Sequence, residues 1–292
     1  MSKTPKTIED NKNEMVHVDI TKVDYTIRDW DDTKDLIDEI YDYHSDPNRI
    51  VNAIQSHGEG LRPIVHIKGR THGNSRVHVR LHGAEPYFYV PRSQYDSEIE
   101  ENTEVTRVER GHEDIHGNQM VKVCTRIPGD VPKLRSGYDH YEADILFPNR
   151  VMIDIGIEGA AKIPAEHVSP DPTDVLEEDL KESNYNTRSR VCFCDIEVYD
   201  KDGFPDQERA EREVTSITVY DNYRDDYVVF FYHPDTPIVG HEQAEVRVYD
   251  DEARMLKSFC EYILDRDFDV ITGWNFSDFD ARYLVNRLDV IS

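Results

Sequence analysis

The chain has 292 residues, of which 60 are Asp or Glu and 34 are Lys or Arg, giving a formal net charge of -26. Its 38% hydrophobic residues, with 17 Tyr and 10 Phe, exclude a disordered acidic polymer, and the length is that of about two domains. The acidity reads as adaptation to molar salt, where the Debye length falls to about 3 Å, rather than as avoidance of nucleic acid, so overall charge excludes no nucleic-acid partner.

In chain order, residues 1 to 14 are polar and carry no apolar signal segment. From Val16 an alternation through Val18, Ile20, Val23, Tyr25 and Ile27 predicts a strand. DDTKDLIDEIYDY puts Leu36, Ile37, Ile40 and Tyr41 on one helical face. Residues 64–67 and 77–81 flank the turn-forming THGNS and predict a hairpin, and PYFYV, MVKVC and RVMIDIGI predict further strands. A mostly β domain with a few helices is therefore expected over residues 1–189. Its last part, 162–189, carries prolines at 164, 170 and 172 and little apolar periodicity, and is expected to be a linker or surface excursion.

A second domain is expected over 190–292. It opens with the strand VCFCDIEVY, followed by the strands VTSITVY and YVVFFYH. A helix with Leu256, Phe259, Cys260 and Ile263 on one stripe comes next, then the strand DVITGWN and the helix FDARYLVNRL. This order predicts a mixed sheet flanked by helices, and an α/β (α+β) fold class for the chain. Cys124, Cys192, Cys194 and Cys260 form no CxxC pair, so free thiols in a reducing cytoplasm are expected rather than zinc ligands. No run approaches 18 apolar residues, and a soluble cytoplasmic protein is expected.

Alternation along VCFCDIEVY places Val191, Phe193, Asp195, Glu197 and Tyr199 on one face. Asp195 and Glu197 are about 6.6 Å apart at the backbone, and two like charges on a largely apolar strand call for a cation or for water. Oxygen-only donors suit Mg²⁺ or Mn²⁺. Taken alone, the pair could equally face solvent at a sheet edge. Asp280 could equally be a first-turn charge on a helix capped by Ser277, with Asn275 a turn residue and Phe279 a core anchor.

The two segments together narrow the choice. CDIEVY resembles the first exonuclease motif of the archaeal and eukaryotic family B DNA polymerases. ITGWNFSDFDARYLVNR resembles their second motif, with the N-x3-FD core intact. Upstream, VHVRLHGAEPYFYVP and YEADILFPNRVMIDIGI resemble segments of the N-terminal domain of these polymerases, so the resemblance covers the chain from about residue 60 onward. With the acidity, it suggests a haloarchaeal member.

The resemblance implies an RNase H-like 3′-5′ exonuclease domain that removes mispaired 3′ nucleotides from DNA by two-metal hydrolysis. Asp195 would bridge both Mg²⁺ or Mn²⁺ ions, Glu197 would bind one and orient the attacking water, and Asp280 would serve the second. Asn275 and Phe279 would hold the frayed single strand. The family's third motif, Y-x3-D, does not occur in residues 281–292. The site is therefore expected to be incomplete, as in the N-terminal part of a split or interrupted polymerase whose remainder lies on a second polypeptide. A non-catalytic nucleic-acid-binding subunit and a free-standing exonuclease are the alternatives.

Overall fold

The alternation that starts near Val16 is realised as β1 (Met15–Asp29). The structure, a computed structural model, describes residues 14–30, 34–44, 46–56, 60–200, 203–232 and 242–291. Its contacts divide the chain into two units, Met1–Thr187 and Arg188–Ser292. In the first, α1 (Lys34–Tyr43) and α2 (Pro47–Ser56) bury Leu36, Ile40, Ile50 and Ile54 in one apolar cluster, while Tyr41 of the expected helical face is 49% exposed. β2 (Leu61–Thr71) and β3 (Arg76–Leu81) form the expected hairpin, with Asn74 in the left-handed region at its turn. Beyond it come β4 (Tyr87–Pro91), α3 (Glu98–Glu101), β5 (Val105–Glu113), β6 (Gln119–Thr125) and α4 (Val131–Arg135). β4, β6 and β5 make a separate three-stranded sheet in that order.

RVMIDIGI, expected as a strand, is instead the greater part of helix α5 (Phe147–Asp154) and the turn after it. Phe147, Arg150 and Val151 are buried at helical spacing, Pro148 stands in the first turn where its missing N–H costs nothing, and Gly156 at φ 67 follows the end. Val151, Ile153, Ile155 and Ile157 fall at every second position, and this strand-like alternation hid the helical period of 3.6.

The stretch expected as a linker also proves structured. It follows or contains β7 (Ala160–Pro164), β8 (Thr173–Val175) and β9 (Lys181–Glu182), which extend the main sheet in the order β8-β3-β2-β1-β7-β9. Val175, Leu176 and Leu180 are buried, and so is Asp174. Its carboxylate takes Arg80 Nε and Nη2 at 2.9 and 2.7 Å and His82 Nε2 at 2.6 Å. Polar and proline-rich residues thus pack because their charges are matched from β3 and the loop after it, which no local pattern reveals.

The second unit has β10 (Val191–Val198), β11 (Val214–Asp221), β12 (Asp226–Tyr232), β13 (Ala244–Tyr249), α6 (Glu252–Arg266), β14 (Val270–Thr272) and α7 (Asp280–Ile291). The sheet order is β13-β12-β11-β10-β14, with β13 and β14 parallel to their neighbours and the other pairings antiparallel. The sheet is therefore mixed, and the architecture is α/β with strands predominating. β13 was not expected, because Glu245 and Arg247 interrupt its apolar residues. On this edge strand Arg247 lies over the Phe230 and Tyr262 rings, 5.3 Å from each centroid. The core joins Cys192, Cys194, Ile217, Val219, Val228 and Phe230 of the sheet to Met255, Leu256 and Phe259 of α6 and Tyr283 and Leu284 of α7. Both thiols are packed in this core, and burial pushes the Cys192 thiol up to about 12 and raises Cys194 further.

Candidate active site

Along β10, Cys192, Cys194 and Ile196 enter the core while Phe193, Asp195 and Glu197 face outward, the alternation expected of the strand. Opposite the two carboxylates on β11 stand Thr218 and Ser216, short neutral side chains that crowd neither. A bulge at Glu197/Val198, where Thr215 Oγ1 donates to the Glu197 carbonyl at 3.1 Å, ends regular pairing beside the second carboxylate. Among the described residues, neither the Asp195 nor the Glu197 side chain has a hydrogen-bond or ion-pair partner.

The second motif is brought to this strand by close backbone contact. β14 pairs with β10 only over Val191–Phe193. The next residue is Gly273, and a Cβ there would lie 2.1 Å from the Cys194 carbonyl oxygen. Glycine alone lets the chain pass so near. Asn275 then adopts the left-handed conformation at φ 54, and its carbonyl accepts the Asp278 and Phe279 N–H groups at 3.1 and 3.0 Å. This turn delivers Asp280 as the first residue of α7. Its Oδ1 accepts the Ile196 N–H at 3.1 Å, so the carboxylate meets β10 between Asp195 and Glu197, beyond the point where β14 stops pairing.

Asp280 is 4% exposed. Burial raises its carboxyl above the ordinary value and the neighbouring Asp195 charge adds to this, while the Ile196 N–H acts in the other direction. A folded-state value above the unfolded one gives stability that is full below the ordinary carboxylate range and is lost as pH rises through the folded value. Asp280→Asn keeps an oxygen for Ile196 and removes the charge. It is expected to raise the Tm at neutral pH without divalent ions, and the gain should shrink on acidification. Melts of both proteins across that range check this, and an equal or lower Tm for the variant at neutral pH would contradict it.

Three carboxylates brought to one stretch of β10, without nitrogen or sulfur donors, are of the kind that suits a hard divalent cation. Among the described residues Asp195 and Glu197 are exposed and without a side-chain partner, and Asp280 Oδ1 is held by the Ile196 N–H, so the donor set fits in kind. Among the described residues, however, no three His, Cys, Asp or Glu side chains are grouped so as to hold an ion.

Next to Asp280 in the chain, Phe279 packs against the core and touches two other aromatic rings. The Phe279 ring lies 5.8 Å from buried Tyr283 on one side and 5.2 Å from Phe204 on the other, and Phe204 is 84% exposed. Trp274 is 92% exposed in the turn. The Asn275 side chain is exposed and makes no hydrogen bond to other described residues, so its evident part is the backbone turn. Ser277 makes no side-chain capping bond among the described residues. Neither Phe204 nor Gly273 is among the site residues expected from the sequence. Phe204 lies in a loop without periodicity, whereas a glycine between a strand and a polar turn is a signal that could have been read.

A family model for the DNA polymerase family B exonuclease domain matches residues 138–292, more than half of the chain. Among similar proteins, the DNA polymerase delta catalytic subunit of Mesocricetus auratus is 26% identical over 78% of this chain and 26% of its own length. DNA polymerase 2 of Aeropyrum pernix is 27% identical over 80% of this chain and 31% of its own length. The solved family B DNA polymerase of Pyrobaculum calidifontis superposes with a TM-score of 0.64 at 23% identity, covering 94% of this chain and 32% of that one, a likeness of fold. The chain thus spans between a quarter and a third of the length of these proteins. With an outward D-x-E on the first strand of the second unit and an N-x3-FD turn docked on its edge, the chain belongs to the family B DNA polymerase exonuclease-domain family.

Proposed function

We propose that the second unit is the proofreading 3′-5′ exonuclease part of a DNA polymerase, acting on the frayed 3′ end of DNA with two Mg²⁺ or Mn²⁺ ions. What carries this reading is the pair of unpaired outward carboxylates, Asp195 and Glu197, with a third, Asp280, buried at their edge and its charge disfavoured without a cation. Family B exonuclease domains depend on divalent metal. The ions, when bound, would activate a water and stabilise the leaving 3′ oxygen. Asp195 would hold both ions, Glu197 one of them, and Asp280 the other. Phe204 and Phe279 offer a surface for the terminal bases, since base–aromatic stacking contributes about 1–3 kcal/mol per base and is indifferent to sequence. The turn at Asn275 lines the path of the strand. Hydrolysis at full rate would need the further carboxylate of a Y-x3-D motif from another segment or a second polypeptide. The setting would be a cytoplasm rich in salt, which screens the acidic surface against DNA. No helix among the described residues is long and apolar enough to cross a membrane.

The test is a Mn²⁺ titration followed by electron paramagnetic resonance at molar salt, with and without a single-stranded oligonucleotide. The chain is expected to bind Mn²⁺, to bind the oligonucleotide more tightly when Mn²⁺ is present, and to cut it slowly at most. Asp195→Ala should weaken Mn²⁺ binding at least about tenfold, the scale seen when metal-site residues are disturbed. Oligonucleotide binding unchanged by chelation and by Asp195→Ala would instead identify a non-catalytic DNA-binding subunit. Rapid metal-dependent digestion by the chain alone would identify a free-standing exonuclease.

A further inference from the structure

Helix α7 is held at two ends of one face. Asp280, Tyr283, Leu284 and Arg287 recur at helical spacing and are all buried. At the N-terminal end Asp280 takes the Ile196 N–H. Seven residues on, about 10 Å along the axis at a rise of about 1.5 Å per residue, Arg287 meets Glu252 in the first turn of α6. Nη2 lies 2.5 Å from Oε2 and Nε 2.9 Å from Oε1, and both side chains are 8% exposed. Each group makes further hydrogen bonds. Arg287 Nη1 donates to the carbonyls of Ala210 and Glu211 at 3.1 and 3.0 Å, and Glu252 Oε1 accepts the Val214 N–H at 2.7 Å.

The pair therefore joins both helices to the end of the β10–β11 loop, the loop that carries Phe204. Two neighbours on α7 secure the same loop. The Tyr283 hydroxyl donates to the Arg212 carbonyl at 2.8 Å, and Asn286 Nδ2 donates to the Gln207 carbonyl at 2.9 Å.

We propose that Glu252 and Arg287 are positioning residues, which set Asp280 against β10 and Phe204 against Phe279 from a single buried node. A helix pinned at one end can swing and slide about that point. Pinned at both ends of one face, it has one rotation and one axial position. Replacing a buried ion pair by well-packed apolar residues is often neutral or stabilising, so stability alone does not call for a pair here, whereas a fixed geometry does. That this geometry serves metal and strand rests on the function proposed above.

The experiment compares the full chain with the double variant Glu252→Met/Arg287→Met, and with Glu252→Gln, which keeps the shape of the carboxylate and removes its charge. Amide hydrogen exchange is read by NMR at Ile196 and across residues 203–212, and Mn²⁺ affinity by electron paramagnetic resonance. In the folded double variant, the Ile196 amide and the loop amides are expected to exchange at least about tenfold faster, and so is the Val214 amide, which loses its Glu252 acceptor, while the amides of β11 beyond Thr215 and of β12 remain as protected as before. Mn²⁺ should bind about tenfold more weakly, the effect typical of lost support behind a metal ligand. If the double variant fails to fold, Glu252→Gln is judged by the same readouts. Unchanged protection at Ile196 in a folded variant overturns the proposal. So does unchanged Mn²⁺ affinity when Asp280→Asn itself weakens Mn²⁺ binding. If Asp280→Asn leaves Mn²⁺ binding intact, the metal reading of Asp280 is what fails, and the Ile196 amide alone decides the positioning role.

Discussion

Gly273→Ala is expected to destabilise the second unit by about 3 kcal/mol and to weaken Mn²⁺ binding with it. The methyl group would sit 2.1 Å from the Cys194 carbonyl oxygen, and that neighbour is backbone in a central strand, not the yielding end of a side chain. Relief requires β14 to move away from β10. That motion carries the Asn275 turn and Asp280 with it, so the Ile196 N–H loses its acceptor. Denaturant unfolding at molar salt reads the stability, and a Mn²⁺ titration on the folded fraction reads the site. Gly159→Ala is the control, because a Cβ there meets nothing within 4 Å, and its effect should stay within about 0.5 kcal/mol. A Gly273→Ala protein that melts with the wild type would show that β14 does not hold the second motif in place.

Asp174→Ala is expected to cost the first unit about 3–5 kcal/mol, because it strands the buried guanidinium of Arg80. Arg80 retains only Glu39, at 3.3 Å and half in solvent, as a carboxylate partner. Burial by itself would raise the Asp174 carboxyl, but the bonds from His82 and Arg80 hold it below its ordinary value. A depressed folded-state value gives stability that is present above the ordinary carboxylate range and is lost as pH falls through the folded value. Wild-type stability should accordingly decline at low pH, and the variant should show a shallower decline from a lower start. Urea unfolding at several pH values checks both statements. A loss below about 1 kcal/mol at neutral pH would mean that β8 is only loosely attached to β3.

These two positions also show where reading the chain succeeded and where it did not. The outward face of β10 was legible because strand alternation is a property of the backbone, and Asp195 and Glu197 are two residues apart whatever surrounds them. The helix after the GWN turn was legible from its period. β13 and α5 were misjudged, since a short edge strand with two charges, and a helix whose Val151 and Ile153 run on into Ile155 and Ile157 at every second position, carry weak or misleading local signals. The segment 162–189 was taken for a linker because Asp174 looks solvated until Arg80 and His82, over ninety residues earlier, come to meet it.

Local chemistry written along the chain was enough to specify β10, β11, β12 and β14, the D-x-E pair, the N-x3-FD turn and through them the family. The relation between those pieces depended on contacts distant in sequence. Asp280 is 84 residues from the amide it binds, and Arg287 is 35 from Glu252. Hydrogen bonds and ion pairs of this kind act over a few ångströms in space and leave no period in the sequence. Folding alone turned a first-turn aspartate into a buried charge at the edge of two others, and a loop phenylalanine into a neighbour of Phe279.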